Sequence, residues 1–367
     1  MSRSFLYHNF TRALRLLFVA LILAALGLTL GLVPIVRAAT ILVTNTNDTG
    51  PGSLRQAMID AMATPATDTI NFSISGTITL SSTLPIIIST GGGLTIDATG
   101  QTIAVSGNDA VTVFGVDPGG SLNLLNLTIT RGRGLTGGGI VTSSGTLVVT
   151  NCTFSSNYAN YGGGIYNTGT LTVTNSTFVG NRTSMNGAGI DNATGSITVT
   201  NSTFSDNQAG NFGGAVMNSG PSATVTNCTL SGNQARLGGG IYGQGGSMIF
   251  RNTIAANNGN FNCDGIRPTN GGYNIDDGIS CNWGPVNGSM SNTNPLLGAL
   301  TDNGGLTQTM ALWAASPAID RIPNAGGCGV GITADQRGFS RPHPPGGLCD
   351  IGAYETISFY LPFIRKQ

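Results

Sequence analysis

The sequence predicts an all-β fold, a parallel β-helix whose coils are about 25 residues long. A block of the type Gly-Gly-Gly-Ile recurs along the chain, a short alternating segment follows it, and each repeat closes on a variant of Asn-x-Thr-Phe-x-x-Asn. Regular periods of this length are typical of stacked repeat units. The unit is too rich in glycine and in period-two alternation to be a pair of helices, so we expect one β-solenoid coil per repeat.

Equivalent positions of the repeat hold similar side chains. The position after the glycine block is Ile140, Ile165, Ile190, Val216 and Ile241; the aromatic position is Ile129, Phe154, Phe178, Phe204, Leu230 and Ile254; the closing amide is Asn157, Asn181, Asn207, Asn233 and Asn257. We expect three short strands per coil, parallel pairing between coils, and stacks of like side chains in which the Asn amides form a ladder.

The N-terminus has the pattern of an export signal. Arg3, Arg12 and Arg15 precede the apolar run Leu16–Val36, and small residues before Ala39 suggest cleavage there, so that residues 1–38 form a signal peptide. The run is also long enough to cross a bilayer, so a retained membrane anchor is the alternative. Both hypotheses place the mature chain at the cell surface or outside the cell.

The next segment, residues 39–67, is expected to cap the first coil. Ser53 is a candidate helix N-cap, and Gln56 three residues later completes a capping-box pattern. A short amphipathic helix here would cover strand edges that the first coil leaves unpaired. We expect the β-helix over residues 68–257, a loop-rich module over 258–355 and an apolar tail over 356–367.

Composition limits the partners of the chain. It has 16 basic and 16 acidic residues, and Lys366 is the single lysine. A basic nucleic-acid footprint is therefore not expected. We expect a monomer that meets a membrane only through the N-terminal segment, if that segment is retained.

The six cysteines fall into two groups. Four lie in the loop-rich module, where we expect the sequence neighbours to pair as Cys263–Cys281 and Cys328–Cys349, as suits an oxidising compartment. Cys152 and Cys228 occupy one repeat position three coils apart, about 14 Å at normal strand spacing. That separation exceeds disulfide reach, so both are expected to be free thiols.

Two segments resemble known families. Gly213-Gly-Ala-Val216, its Gly-Gly-Gly-Ile relatives and the Phe-x-x-Asn motifs resemble the repeats of polymorphic outer-membrane proteins. The C-terminal segment is similar to the choice-of-anchor Q domain of secreted bacterial proteins, through Asn294-Pro-Leu-Leu-Gly298, Asp302-Asn-Gly-Gly-Leu-Thr307, Ser316-Pro-Ala-Ile-Asp320, Asp335-Gln-Arg-Gly338 and Cys349-Asp-Ile-Gly-Ala-Tyr-Glu355. The resemblance implies a right-handed parallel β-helix at the cell surface, associated with adhesion, and it supplies no catalytic residues.

A ligand-binding surface is predicted from positions that the repeat does not fix. Tyr166, Asp191, Met217 and Tyr242 each follow an inward residue and should point outward in one row, with Tyr161 and Phe212 just before the glycine block. Exposed aromatic rings suit stacking on sugar rings or on an extended partner. The predicted function is therefore a secreted or cell-surface, non-catalytic structural or adhesin-like protein that binds glycan or extracellular matrix.

The alternative is a polysaccharide-active enzyme, a lyase or glycoside hydrolase on a pectate-lyase-like β-helix. Glycoside hydrolysis usually needs two nearby carboxylates, and Asp191 and Asp206 are the only ones between Arg133 and Cys263. We expect them on different faces.

No cofactor is expected. The alternative is a Ca²⁺ site built from Asp320, Asp335, Asp350 and Glu355. The competing interpretation is an Arg–carboxylate network that orders the C-terminal module.

Overall fold

The computed structural model describes residues 18, 37–89, 92–324, 328 and 331–357. The chain divides into two units, Met1–Arg37 and Ala38–Gln367. Apart from Phe18, the predicted signal or anchor Leu16–Val36 lies outside the described residues, as does the apolar tail from residue 358 onward. Among the described residues, no helix has both the length and the apolar character needed to cross a bilayer.

The second unit is a stack of short parallel strands that form long sheets. In spatial order, sheet 1 consists of β1 (Thr40–Val43), β2 (Asp68–Phe72), β4 (Gly93–Asp97), β7 (Ser121–Leu125), β10 (Thr146–Thr150), β14 (Thr170–Thr174), β18 (Ser196–Thr200), β22 (Ser222–Thr226), β25 (Ser247–Arg251) and β28 (Thr269–Asn270). Sheet 2 consists of β3 (Gly76–Thr79), β5 (Ile103–Ser106), β8 (Leu127–Thr130), β11 (Thr153–Ser155), β15 (Thr177–Val179), β19 (Thr203–Ser205), β23 (Thr229–Ser231), β26 (Ile254–Ala256) and β29 (Ile275–Asp276).

Two further sheets complete the solenoid. Sheet 3 consists of β6 (Phe114–Val116), β9 (Ile140–Thr142), β13 (Ile165–Asn167), β17 (Ile190–Asn192), β21 (Val216–Asn218), β24 (Ile241–Gly243) and β27 (Cys263–Gly265). Sheet 4 is short and consists of β12 (Tyr158–Tyr161), β16 (Arg182–Asn186) and β20 (Gln208–Ala209). Helix α1 spans Leu54–Met62, a 3-10 turn spans Val286–Gly288, and β30 (Leu297–Thr301) pairs with β31 (Thr309–Leu312) in an antiparallel hairpin.

Each coil visits the sheets in a constant order. One coil runs through β10, β11, β12 and β13, and β14 then pairs in parallel with β10 to begin the next coil. This arrangement is the predicted parallel β-helix. The expectation of three strands per coil is incomplete, because the middle coils add a fourth strand in sheet 4 between the closing Asn and the glycine corner.

Aromatic side chains stack inside the middle coils as the repeat predicts. Phe154, Phe178 and Phe204 are fully buried, and successive ring centroids lie 4.7 and 4.6 Å apart. The rings are nearly parallel, with interplanar angles of 3° and 5°. Parallel pairing in register therefore aligns identical positions of successive coils.

A ladder of buried amides runs beside the aromatic stack. The side-chain Nδ2 of each ladder Asn donates to Oδ1 of the next, at 2.8–2.9 Å, through Asn157, Asn181, Asn207 and Asn233. The side-chain amides of Asn157, Asn181 and Asn207 each also donate to a main-chain carbonyl of an earlier coil. Burying a polar group without a hydrogen bond costs free energy, and the ladder gives the Asn amides hydrogen bonds between successive coils. A second ladder, which the sequence analysis missed, joins Asn167, Asn192 and Asn218.

Helix α1 packs on the first coil. The Ser53 hydroxyl accepts a hydrogen bond from the backbone N–H of Gln56, and the buried face is Leu54, Ala57, Met58 and Ala61. The Gln56 side chain donates to Asp60 instead of returning to Ser53, so only half of the predicted capping box forms. The helix joins the same apolar core as strands β1 and β2, as expected of a cap.

The predicted end of the solenoid at residue 257 is too early. Strands β27, β28 and β29 add another rung to sheets 3, 1 and 2. In this region the repeat also slips by one residue, because Leu230 pairs with Ala255 rather than Ile254, and Asn233 donates to Asn258 rather than Asn257. A one-residue slip turns each side chain to the opposite face. Ile254 therefore lies outside the coil, in a second apolar cluster.

The part of the predicted module that follows this last rung, residues 294–357, packs along the side of sheet 2 and is called the C-terminal module from here on. The buried Gln336 amide donates to the Thr177 hydroxyl at 2.9 Å and accepts from the Thr203 hydroxyl at 2.7 Å. The backbone N–H of Ala353 donates to the Thr229 hydroxyl at 3.1 Å. The module thus covers one face of the solenoid over several coils.

The cysteine predictions are confirmed. Cys263–Cys281 and Cys328–Cys349 are disulfides, and Cys152 and Cys228 are buried free thiols. The first disulfide belongs to the main core, where Trp283 packs 6.1 Å from Phe250, ring centroid to ring centroid. The second belongs to the apolar cluster under the module. Burial raises the pKa of each free thiol to about 12, so neither is a reactive thiolate.

Candidate functional site

The predicted outward row is one in-register column on sheet 3. Tyr166 pairs with Asp191, Asp191 with Met217, and Met217 with Tyr242. Asp264 on β27 continues the column by one coil. Neighbouring strands lie about 4.8 Å apart, so the column follows the solenoid axis with one side chain per coil.

Only the tyrosines of the predicted row reach solvent. Tyr166 and Tyr242 are half-buried, whereas Asp191 is 3% exposed and Met217 is 1% exposed. The expectation that all four side chains are exposed is therefore wrong for Asp191 and Met217. At Asp191 the glycine corner lies close over the column, since a Cβ placed on Gly187 would lie 2.5 Å from Cβ of Asp191.

Tyr161 and Phe212 lie where sheet 4 meets this corner. Tyr161 aligns with Asn186, and Asn186 aligns with Phe212 on the next coil. The Phe212 ring stacks on the Tyr242 ring with centroids 4.4 Å apart. The structure thus gathers four half-buried aromatic side chains along one edge of the solenoid, here named the aromatic seam: Tyr161, Tyr166, Phe212 and Tyr242.

Asp191 is a buried carboxyl beside the seam. Burial raises the pKa of Asp191 to about 7. Burial, followed by the charge of Asp191, raises the pKa of Tyr166. None of the salt bridges among the described residues involves Asp191. Asp191 is therefore mostly neutral in mild acid and mostly ionised in mild base.

The carboxylates of the enzyme hypothesis are not brought together. Asp191 lies on β17 in sheet 3, whereas Asp206 occupies the exposed bend after β19 in sheet 2, with φ of 55°. The Asp206 carboxylate accepts a hydrogen bond from the Ser205 hydroxyl. A general acid and a nucleophile or base must flank one glycosidic bond, and two carboxylates on different faces do not meet that requirement.

Three of the four carboxylates of the Ca²⁺ hypothesis are held by other protein groups, whereas Asp320 is exposed. Oδ2 of Asp335 lies 2.7 Å from Nη2 of Arg337, and Oε2 of Glu355 lies 3.6 Å from Nη1 of Arg341. Asp350 accepts hydrogen bonds from backbone N–H groups, including that of Asp320. In the part of the chain that the structure describes, no cluster of three or more His, Cys, Asp or Glu side chains is arranged to hold a metal ion. The geometry favours the Arg–carboxylate network.

The structure shows a second column that the sequence analysis missed. It is here named the sheet-4 row, and it consists in register of Arg133, Tyr158, Arg182, Gln208 and Gln234. All five side chains are exposed, and the Arg133 guanidinium lies 5.1 Å from the centroid of the Tyr158 ring. A sequence signal existed, because the last four members directly follow the Asn residues of the amide ladder.

Two concave surfaces lie near these columns. A shallow groove of about 630 Å³ runs beside the end of the sheet-4 row, between Gln208, Gln234 and Arg236. A cavity of about 530 Å³ lies close to the Cys263–Cys281 disulfide, and Phe261 and Arg267 form part of its wall.

Comparison with known proteins supports the fold. The model of the right-handed β-helix region family matches residues 138–293, in agreement with the right-handed parallel β-helix. No curated protein matches the chain. Among solved structures, Jun a 1, the major allergen from cedar pollen, is 15% identical, with a TM-score of 0.35 over 69% of this chain and 75% of that chain.

Proposed function

We propose that this chain is a secreted or cell-surface, non-catalytic β-helix protein that binds a glycan or matrix polymer through the aromatic seam. The supporting observation is the set of four half-buried rings along one edge of a rigid solenoid. Aromatic faces offer large apolar contact area, and tyrosine adds a hydroxyl for hydrogen bonding. Because strand pairing fixes the backbone beneath them, little ordering is needed when a ligand arrives.

Two further observations support the setting and the absence of catalysis. Two disulfides suit an oxidising, extracellular compartment. Asp191 and Asp206 lie on different faces of the solenoid, and Asp335, Asp350 and Glu355 of the C-terminal module are engaged by arginine side chains or by backbone N–H groups. The proposed role is therefore adhesion or structural attachment, with the solenoid as scaffold.

A polysaccharide-active enzyme is the second candidate, and one observation favours it. Asp191 has a pKa of about 7 because of burial, and perturbed carboxyl groups are common in active sites. A burial-shifted carboxyl without a second group facing the same bond does not provide general acid and base catalysis. Binding without turnover is therefore the better-supported outcome.

The test is a glycan and matrix array probed with the purified protein, followed by titration of the best ligand. Tyr166→Ala and Tyr242→Ala should each weaken binding about 3- to 10-fold, the size expected for loss of one aromatic contact. Tyr166→Phe should retain most of the affinity because the ring remains. Trp313→Ala removes an exposed aromatic ring directly after β31 and should leave binding unchanged. Equal loss in the Trp313 variant, or no binding to any ligand, would contradict the proposal.

A further inference from the structure

We propose that the sheet-4 row is the docking surface for an anionic polysaccharide, a polyuronate strand that lies parallel to the solenoid axis. This inference goes beyond the proposed function, because it assigns a second glycan-binding surface with its own ligand class. The surface is separate from the aromatic seam, since the row follows the amide ladder and the seam borders the glycine corner.

The positive charges of this face have no carboxylate partners. Arg133, Arg182 and Arg236 are exposed, and none forms a salt bridge with another described residue. By contrast, Arg55 pairs with Asp48 at 2.6 Å, and Arg337 pairs with Asp335 at 2.7 Å. In a chain with only 9% charged residues, three unpaired arginines on one face leave a local positive surface.

Few acidic groups can neutralise that surface. Between Arg133 and Cys263 the only carboxylates are Asp191 and Asp206. Asp191 is buried on sheet 3, and Asp206 lies in the bend after sheet 2. A carboxylate on a ligand can therefore form charge-assisted hydrogen bonds with the guanidinium groups.

The spacing and the remaining side chains suit a sugar polymer. Successive positions of the row are separated by one strand spacing, about 4.8 Å, which is comparable to the length of one sugar ring in an extended chain. Tyr158 is 37% exposed and presents a ring between Arg133 and Arg182. Gln208 and Gln234 supply amide groups, which both donate to and accept from hydroxyls. They border the groove of about 630 Å³.

The same features argue against nucleic acid as the partner. A nucleic-acid footprint is a dense cluster of Lys and Arg, because each bound phosphate needs a counter-charge. Here arginine alternates with tyrosine and glutamine, and no lysine lies on this face. Duplex DNA is therefore a control in the experiment.

The experiment measures binding of the full chain to polygalacturonate, to the same polymer with methyl-esterified carboxyl groups, and to duplex DNA. Polygalacturonate should bind, the ester should bind at least tenfold more weakly, and added salt should weaken the first complex because it screens exposed charges. Arg182→Gln should reduce affinity about threefold, as expected for one exposed ion pair. The triple variant Arg133→Gln, Arg182→Gln, Arg236→Gln should reduce it about 30-fold.

A charge-matched control separates local from general electrostatics. The triple variant Arg251→Gln, Arg267→Gln, Arg321→Gln removes the same charge from exposed arginines elsewhere, and it should bind like the wild type. Equal losses in both triple variants, equal binding of the ester, or equally tight and arginine-dependent DNA binding would each overturn the inference. Glycan binding that depends on Tyr166 and Tyr242 but not on the row would overturn it and leave the proposed function intact. If no glycan binds, both fail.

Discussion

The repeating coils and the C-terminal module provide hydrogen-bond partners for buried polar side chains in different ways. In the coils, the buried amides of the ladder are satisfied by their equivalents one coil away, as in the Asn157–Asn181 step. In the module, Gln336 bonds to threonines of two different coils, and Arg337 pairs with Asp335. The partners in the coils therefore come from the same position of the neighbouring repeat, whereas those in the module come from individual contacts between residues far apart in the sequence.

The threonines of sheet 2 show what this difference implies. Thr128, Thr153, Thr177, Thr203 and Thr229 occupy one repeat position. The first two are half-buried and the last three are buried, because only the later coils lie beneath the module. The repeat supplies a uniform polar surface, and the module uses part of it as a docking site.

The largest expected effect is at the ladder. Asn181→Leu removes the acceptor for the Asn157 amide and the donor to the Asn207 amide, and it removes a donor to the Phe154 carbonyl. Several unsatisfied buried groups should lower the free energy of unfolding by about 4 kcal/mol. Denaturant unfolding measures this. Asn123→Leu, at a half-buried outward site on β7, should change it by less than about 1 kcal/mol; a similar loss there would contradict the role of the ladder.

Replacing a buried aspartate by asparagine is expected to change stability in opposite directions in the coils and in the C-terminal module, and this is the next largest effect. Asp191 is buried without an arginine, so Asp191→Asn should raise stability at pH 8 by about 2–4 kcal/mol, since one pKa unit corresponds to about 1.4 kcal/mol. Asp335 is buried beside Arg337, so Asp335→Asn should lower stability by about 3 kcal/mol.

The pH dependence of the Asp191 effect follows from linkage. Its folded-state pKa, about 7, lies above the ordinary value of 3.8, so the native state keeps a proton that the unfolded chain releases. The contribution of this group to stability therefore falls as pH rises from about 4 to 7 and is level above that. The free energies of unfolding of the wild type and of Asp191→Asn, measured at pH 4, 6 and 8, should differ by an amount that grows with pH. A constant difference would contradict the raised pKa of Asp191.

The smallest effect concerns the attachment of the module. Gln336→Leu removes hydrogen bonds to Thr177 and Thr203 and should lower the free energy of unfolding by about 2 kcal/mol. Hydrogen exchange should show lost protection in the module while the core strands of sheet 1 stay protected. Gln234→Leu, at an exposed site, is the matched control. Equal loss of protection throughout the solenoid would mean that coils and module are one cooperative unit.

Much of the fold could be predicted because the information is local and repeated. The Phe154–Phe178–Phe204 stack, the Asn ladder and the capping helix each follow from side-chain type and spacing. The disulfide pairing was also predictable, because the partners are sequence neighbours in loop-rich segments.

The remainder depended on tertiary contacts that no single repeat encodes. Ile254, Ala255 and Ala256 are all apolar, so alternation could not decide which of them faces inward; the cluster under the module decides it. The burial of Asp191 depends on how the corner at Gly187 folds over it. Within the four-residue row, Tyr166 and Tyr242 therefore reach solvent as expected, whereas Asp191 and Met217 are buried.

The most direct test of a non-catalytic binding scaffold follows one sample in two ways. The full chain is incubated with a panel of acidic and neutral polysaccharides, and bound polymer and newly formed reducing or unsaturated ends are measured together. We predict saturable binding with no change in polymer length. Progressive shortening of the polymer that is abolished by Asp191→Ala or Asp206→Ala would contradict this and establish the protein as a polysaccharide-active enzyme.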